Sequence, residues 1–183
     1  VFGDSEQSGI RRGNEFFHGP LNFFMSSPNS WEIINTPNSL VFSSPSGEAR
    51  LQVTLEDLNF KESPREYLMR FASDIDEGRE LSINGFEGYT GKSFRSGRMT
   101  RMAVLFKDDQ VYQFIGFLKN RNSNFLKFDN NFLKIINSFR KLKPNEKDSA
   151  KPLRISSYTV KKSDTYESLA LKSSIHKNAE DQL

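Results

Sequence analysis

The stretch from Leu81 to Leu118 carries three strand signals in close succession, each bounded by turn residues, and it restricts the fold more than any other part of the chain. In LSINGFEGY, Asn84-Gly85 sits between apolar neighbours and accepts the positive φ that a tight hairpin needs. Gly88 and Gly91 are expected to loosen the chain beyond that turn. MTRMAVLF then sets Met102, Val104 and Phe106 on one face and Ala103 and Leu105 on the other, which is how an interior strand reads. After the polar residues Lys107 to Gln110, VYQFIGFL divides the same way: Val111, Ile115 and Phe117 against Tyr112, Phe114 and Leu118. The pattern predicts a hairpin with both strands largely buried. Gly116, inside the second strand, is expected to make room for a close packing partner.

A sheet this apolar on both faces must be covered, and the flanking sequence supplies the cover. Ser63-Pro64-Arg65-Glu66 gives a Ser N-cap, Pro at the first helical position and Glu at the third, a capping box. Leu68, Phe71, Ala72 and Ile75 form the stripe of this helix, and Gly78 is its expected stop. A second helix is predicted with Asp129 as N-cap, Phe128 and Leu133 as a hydrophobic staple, and Phe132, Ile135, Ile136 and Phe139 buried. Upstream, Asn22 to Met25, Trp31 to Ile34 and Leu40 to Phe42 are short strand candidates separated by the turns SSPN and NTPN. Pro45-Ser46-Gly47 leads into ARLQVTLEDL, whose alternation predicts a strand with one wet face. The fold class is therefore α+β, an antiparallel or mixed sheet with two helices packed on it.

At the ends the patterns change. Residues 1–20 read as a polar, glycine-punctuated arm ending in Phe16-Phe17, and 21–142 as the α+β domain. RKLKPNEKDSAK, from Arg140 to Lys151, is charged and aperiodic, which predicts a linker over 143–151. In the segment 152–183, LRISSYTV is a strand candidate and Asp164-Thr165-Tyr166-Glu167 a second capping box ahead of Leu169, Ala170 and Leu171. Some thirty residues bury too little surface to fold alone, so this appendage must dock or belong to a larger module.

The chemistry available is narrow. The 183 residues hold no Cys, so disulfides and thiolate chemistry are absent, while 17 Phe point to a phenylalanine-rich core. Net charge is +3 with acidic and basic residues interspersed, and most aromatics sit at core-like positions, so no nucleic-acid face is predicted. No apolar run approaches the roughly 18 residues of a membrane span, and no signal peptide opens the sequence. His18 and His176 are the only histidines; HExxH, GxSxG, the P-loop and GxGxxG do not occur. His18 beside Gly19-Pro20 reads as a turn residue, and Glu56-Asp57 and Asp74 with Asp76 as solvated carboxylates rather than a glycosidase pair. No catalytic residue, metal ligand or cofactor is assigned to this chain.

The order of motifs resembles the C-terminal, non-peptidase part of bacterial HExxH zinc metallopeptidases, peptidase family forty-eight of the metallo class. Gly3-Asp4, Arg12-Gly13, Phe17-His18 and Asn35-Thr36-Pro37 match the segment that comes after the peptidase domain there, with Gly19 interrupting the usual histidine-proline step. Ile83-Asn84-Gly85 with Tyr89-Thr90-Gly91 resembles the family's hairpin, and Phe132 with Ser138-Phe139-Arg140 its helix end. The tail resembles the start of a LysM peptidoglycan-binding module through Tyr158, Val160, Asp164, Thr165, Leu169 and Ala170, with Ser163 in place of the customary glycine.

The resemblance implies a periplasmic or outer-membrane-associated Gram-negative parent whose zinc lies outside this chain. It implies an accessory role, with the chain's own peptidase domain and peptidoglycan as partners. Gly3, Asp4, Arg12 and Gly13 are the candidate peptidase-contact residues, and Ser163, Asp164 and Thr165 the candidate glycan-binding residues. The alternative is a stand-alone ligand-binding, lipoprotein-like domain resembling PsbP-type sandwiches, with a pocket between sheet and helices.

Overall fold

The computed structural model describes residues 7–58, 61–95, 97–120 and 124–152, with 159, 163–165 and 167–169 beyond them. The chain divides into two units, Val1–Pro152 and Leu153–Leu183. In the first, β1 (Ile10–Arg12), β2 (Glu15–His18) and β3 (Phe23–Ser26) make a three-stranded sheet. A seven-stranded sheet takes β4 (Glu32–Thr36), β5 (Ser39–Ser43), β6 (Ala49–Asp57), β7 (Ile75–Ile83), β8 (Phe86–Arg95), β9 (Arg98–Lys107) and β10 (Gln110–Leu118), in the order β4-β5-β6-β10-β9-β8-β7. Every pairing among these strands is antiparallel. The helices are α1 (Pro64–Phe71) and α2 (Leu126–Asn137). The fold is α+β, as the sequence predicts.

The period-2 alternation decides which helix covers which face. Leu51, Val53, Ala103, Leu105 and Phe114 share a buried cluster with Phe132, Ile135 and Ile136 of α2 and with Phe16, Phe23 and Met25 of the small sheet. On the opposite face, Val104 and Val111 meet Tyr67 and Leu68 of α1. Burial of this kind is worth roughly 25 cal/mol per Å² of apolar surface and is the main force holding the layers together. The central hairpin is interior as predicted: β10 lies between β6 and β9, and β9 between β10 and β8. Asn84 and Gly85 both have positive φ, 50° and 86°, which matches the tight turn expected between β7 and β8. Gly116 is where it is because a side-chain carbon there would sit 2.7 Å from the Phe132 ring.

Several expectations change. Gly88 and Gly91 loosen nothing: both lie within the ten-residue strand β8, and a Cβ on Gly91 would meet the Ile75 side chain at 2.3 Å. The capping box at Ser63 is present, with Ser63 N–H donating to Glu66 at 2.8 Å and Glu66 N–H to Ser63 Oγ at 3.2 Å. Yet α1 stops at Phe71, far short of Gly78. Ala72 is extended, Ile75 opens an edge strand, and Phe71 is 45% exposed, so Tyr67 takes the buried position assigned to it. Charged residues along β7 hide its strand character, because an edge strand shows its side chains to water. Its pairing is broken by a bulge between Asp76 and Arg79.

Asp129 does not cap α2. The helix starts at Leu126, where Asn124 Oδ1 accepts from Leu126 N–H at 3.1 Å. This places the predicted Phe128–Leu133 staple inside the helix. Asp129 instead takes a bidentate contact from Arg101 of β9, at 2.7 and 2.6 Å, with both residues buried. A shielded pair fixes the helix on the sheet through direction, whereas the apolar contacts around it are non-directional.

The described part of the arm and the linker region are both folded into the first unit. Residues 10–18 supply two strands of the small sheet. Pro144–Glu146 is a 3-10 turn, Arg140 grips Glu146 with two bonds of 2.7 Å, and Ala150 is buried against Phe17 and Phe24. Their apolar content is low because much of the hold is polar. In the second unit the expected capping box shifts by one residue: Thr165 is the cap, exchanging bonds with Ser168 at 2.9 and 3.2 Å ahead of a turn at 167–169. The rest of the predicted tail strand and helix lies outside the described residues.

Removing one partner of the Arg101–Asp129 pair leaves the other charged and buried. Asp129→Ala should therefore cost about 3–5 kcal/mol, whereas the joint change Arg101→Met with Asp129→Leu should stay within about 1–2 kcal/mol of the parent; urea unfolding of the three proteins measures both.

Candidate functional site

A recess among the described residues of the first unit lies between the two sheets. It is a cavity of about 530 Å³ walled by Phe16 and Phe23 of the small sheet and by Leu40, Val53, Leu55 and Tyr112 of the large one. Its polar lining includes Ser8, His18, Asn35 and Thr36. Phe16, His18 and Phe23 face it because alternate residues of β2 and β3 point to the large sheet, while Phe17 and Phe24 point away to Ala150. The rim is tied by local bonds: Asn35 Nδ2 donates to Ser8 O at 2.7 Å, and Ser39 N–H to Thr36 Oγ1 at 3.1 Å.

Two polar side chains stand out in this wall. His18 stacks on Phe23 with ring centroids 5.2 Å apart. Its Nδ1 accepts from Leu21 N–H at 3.2 Å, so it closes the turn that Gly19-Pro20 begins. A neutral imidazole that accepts at Nδ1 carries its proton on Nε2, which is then a donor. Burial lowers the His18 pKa and favours this neutral form. Tyr112 is 1% exposed, packed between Phe23 and Phe139, and its hydroxyl has no hydrogen-bond partner among the described residues. Burial, reinforced by the nearby Asp108 charge, holds the phenol pKa well above its usual range, so it stays protonated.

No described residue lining the cavity is Asp, Glu, Lys or Arg. An ion seated in it would gain no counter-charge from the lining in return for the hydration it gave up. The recess therefore suits a neutral guest. Among the described residues, no group of three or more His, Asp or Glu is arranged to hold a metal ion.

The residues singled out from sequence are dispersed. Arg12 and Gly13 sit at the β1–β2 turn, where Gly13 has φ of 60° and the Arg12 guanidinium donates to Ser149 O and Lys151 O at 3.1 and 3.0 Å. Gly3 and Asp4, like His176, lie outside the described residues. Ser163 and Thr165 are exposed and Asp164 half-buried in the second unit. The carboxylates are occupied locally: Glu56 accepts from Tyr67 Oη at 2.8 Å, and Asp74 from Ser93 Oγ at 3.0 and 2.9 Å. Sequence reasoning missed the cavity because Leu40, Val53 and Tyr112 read as ordinary core; the one signal was a phenol in an otherwise apolar stripe. The recess lies between the two sheets, a different place from the sheet–helix pocket of the alternative reading.

No family model matches the sequence, and no curated protein does. Among solved structures, the chain is similar to cyanobacterial PsbP (CyanoP) from Synechocystis sp. PCC 6803, with a TM-score of 0.55 and 13% identity over 77% of this chain and 99% of that one. The fold is PsbP-like. A crystal structure from Bacteroides thetaiotaomicron is similar at a TM-score of 0.52 and 13% identity, covering 74% of this chain and 51% of that one. At such identities the likeness concerns the fold alone.

Because His18 is held neutral, the unfolded chain takes up a proton there before the folded one does. Stability from this residue is complete above the ordinary value of 6.5 and is lost as pH falls through it toward the lower native value. The melting temperature should drop between about pH 7.5 and about pH 5.5, and His18→Phe should flatten that slope; thermal melts followed by circular dichroism across the range measure both.

Proposed function

We propose that this chain is a non-catalytic accessory region of a cell-envelope zinc metallopeptidase, acting through contacts with its own peptidase domain and with peptidoglycan. The observation that carries the reading is that motif segments far apart in sequence meet at one joint. Asn84 of the hairpin motif donates through Nδ2 to the carbonyl of Phe139 in the helix-end motif, at 2.8 Å. Ser138 Oγ accepts from Ser26 N–H at 2.9 Å, and Arg140 exchanges backbone bonds with Phe24. The hairpin and helix-end motifs, distant in sequence, form one joint of the accessory framework in this reading.

In this reading the zinc and the HExxH helix belong to the parent's peptidase part, in the periplasm or at the outer membrane. The α+β unit positions that part at its substrate or covers its cleft. Arg12 acts indirectly: its guanidinium already holds the 149–151 backbone, so it maintains the shape of the presented surface. The second unit, through Ser163, Asp164 and Thr165, supplies the contact with the wall. No helix among the described residues is long and apolar enough to cross a membrane.

Titrating the chain into the separately produced peptidase domain of the parent should give saturable one-to-one heat by calorimetry, and a flat titration would count against the peptidase contact. Co-sedimentation with purified peptidoglycan sacculi tests the second contact. The chain should pellet with the sacculi, and Asp164→Ala and Thr165→Ala should reduce the bound fraction about tenfold, the scale of a lost charge-assisted hydrogen bond. Equal pelleting of all three would remove glycan binding from the tail.

A further inference from the structure

We propose that the cavity between the two sheets is a binding site for a small uncharged molecule with a flat apolar body and one carbonyl or hydroxyl oxygen. The inference stands apart from the peptidase reading, since it rests on the recess between the sheets and not on the motif joint. Four observations define the guest. The cavity volume of about 530 Å³ lies within the range of about 300–1,000 Å³ usual for small-molecule pockets. Its deep wall is aromatic and aliphatic, with Phe16, Phe23, Leu40 and Val53 all buried, and its rim is polar. Its described lining residues carry no ionised side chain, which selects against anions and cations alike.

The fourth observation concerns polarity. The Tyr112 hydroxyl, unpaired among the described residues, is closed even to water, so it offers no bond to a guest. His18 supplies a donor whose proton is fixed on Nε2 by the Leu21 contact. An acceptor oxygen on the guest meets this His18 donor, and its apolar body meets the rings. Phe23 makes the arrangement coherent, because it stacks on His18 at 5.2 Å and packs edge-on to Tyr112 at 5.3 Å.

The test uses the full chain and prodan, an uncharged naphthalene ketone whose emission reports hydrogen bonding to its carbonyl. Anilinonaphthalene sulfonate, of similar body but anionic, is the counterpart. Prodan should bind saturably at one site, with the sulfonate at least about tenfold weaker. His18→Phe keeps the stacking on Phe23 but removes the donor; it should weaken prodan about tenfold and shift its emission to shorter wavelength. Leu55→Trp, at a partly exposed wall position, should abolish binding by filling the space. Ser39→Trp at the rim is the second blocking variant should the first fail to fold, as judged by circular dichroism. No prodan binding to the folded chain, equal affinity for the sulfonate, or unchanged affinity in His18→Phe together with a folded blocking variant would each overturn the site.

Discussion

Phe139, just past the Ser138 cap of α2, is the residue on which the two sheets depend for their relation to each other. Its ring packs against Phe23 of the small sheet at 5.4 Å and against Tyr112, Phe114 and Phe86 of the large one at 4.7, 6.3 and 5.4 Å. Aromatic packing of this kind combines a large buried area with preferred ring angles, so it resists rotation as well as separation. The adjoining backbone adds direction: Asn84 binds the Phe139 carbonyl, and Arg140 pairs with Phe24. The Arg140 guanidinium also lies 3.8 Å from the centre of the Phe24 ring, a cation–π contact on the outer side of the small sheet. The cavity exists because this joint holds the sheets together at the Phe139 side, with Tyr112 and Phe23 common to the joint and to the cavity wall.

How much of the fold was legible in the sequence depends on where each signal resides. The β9–β10 hairpin was readable because both faces of each strand are buried, so its apolar residues are nearly continuous. The Asn84-Gly85 turn and the Ser63 cap were readable because each is a local backbone requirement met by specific residue types. The strand β7 was not, since its outward charges carry the signature of water and not of pairing. Asp129 misled for a related reason: an acidic residue at the start of an apolar run is usually a cap, and only a buried Arg twenty-eight residues away makes it an anchor.

The cavity was illegible for a different reason. Periodicity reports which way a side chain points and leaves open whether something fills the space in front of it. Leu40, Val53 and Tyr112 have core-like spacing and are buried, yet they also bound a void. His18 was correctly read as a turn residue from Gly19-Pro20, but its second role on the cavity wall depends on β2 pairing with β3, which places it beside Phe23. The 140–151 segment shows the same limit, because Arg12 holds its backbone carbonyls and carbonyls carry no sequence signature.

The strand order carries a kinetic consequence. β4-β5-β6 and β7-β8-β9-β10 are each antiparallel meanders in which neighbours in space are neighbours in sequence. One pairing breaks this locality: β6 against β10, whose register joins Ala49 to Leu118 and Asp57 to Gln110. Local hairpins close quickly, whereas a seam between distant segments must first overcome the entropy of the intervening loop. Each meander can thus form by short-range steps, and closing the β6–β10 seam becomes the slow event, with α1 and the whole second meander as the loop it must gather. Only after that closure does the large sheet present a continuous surface for α2 and the small sheet.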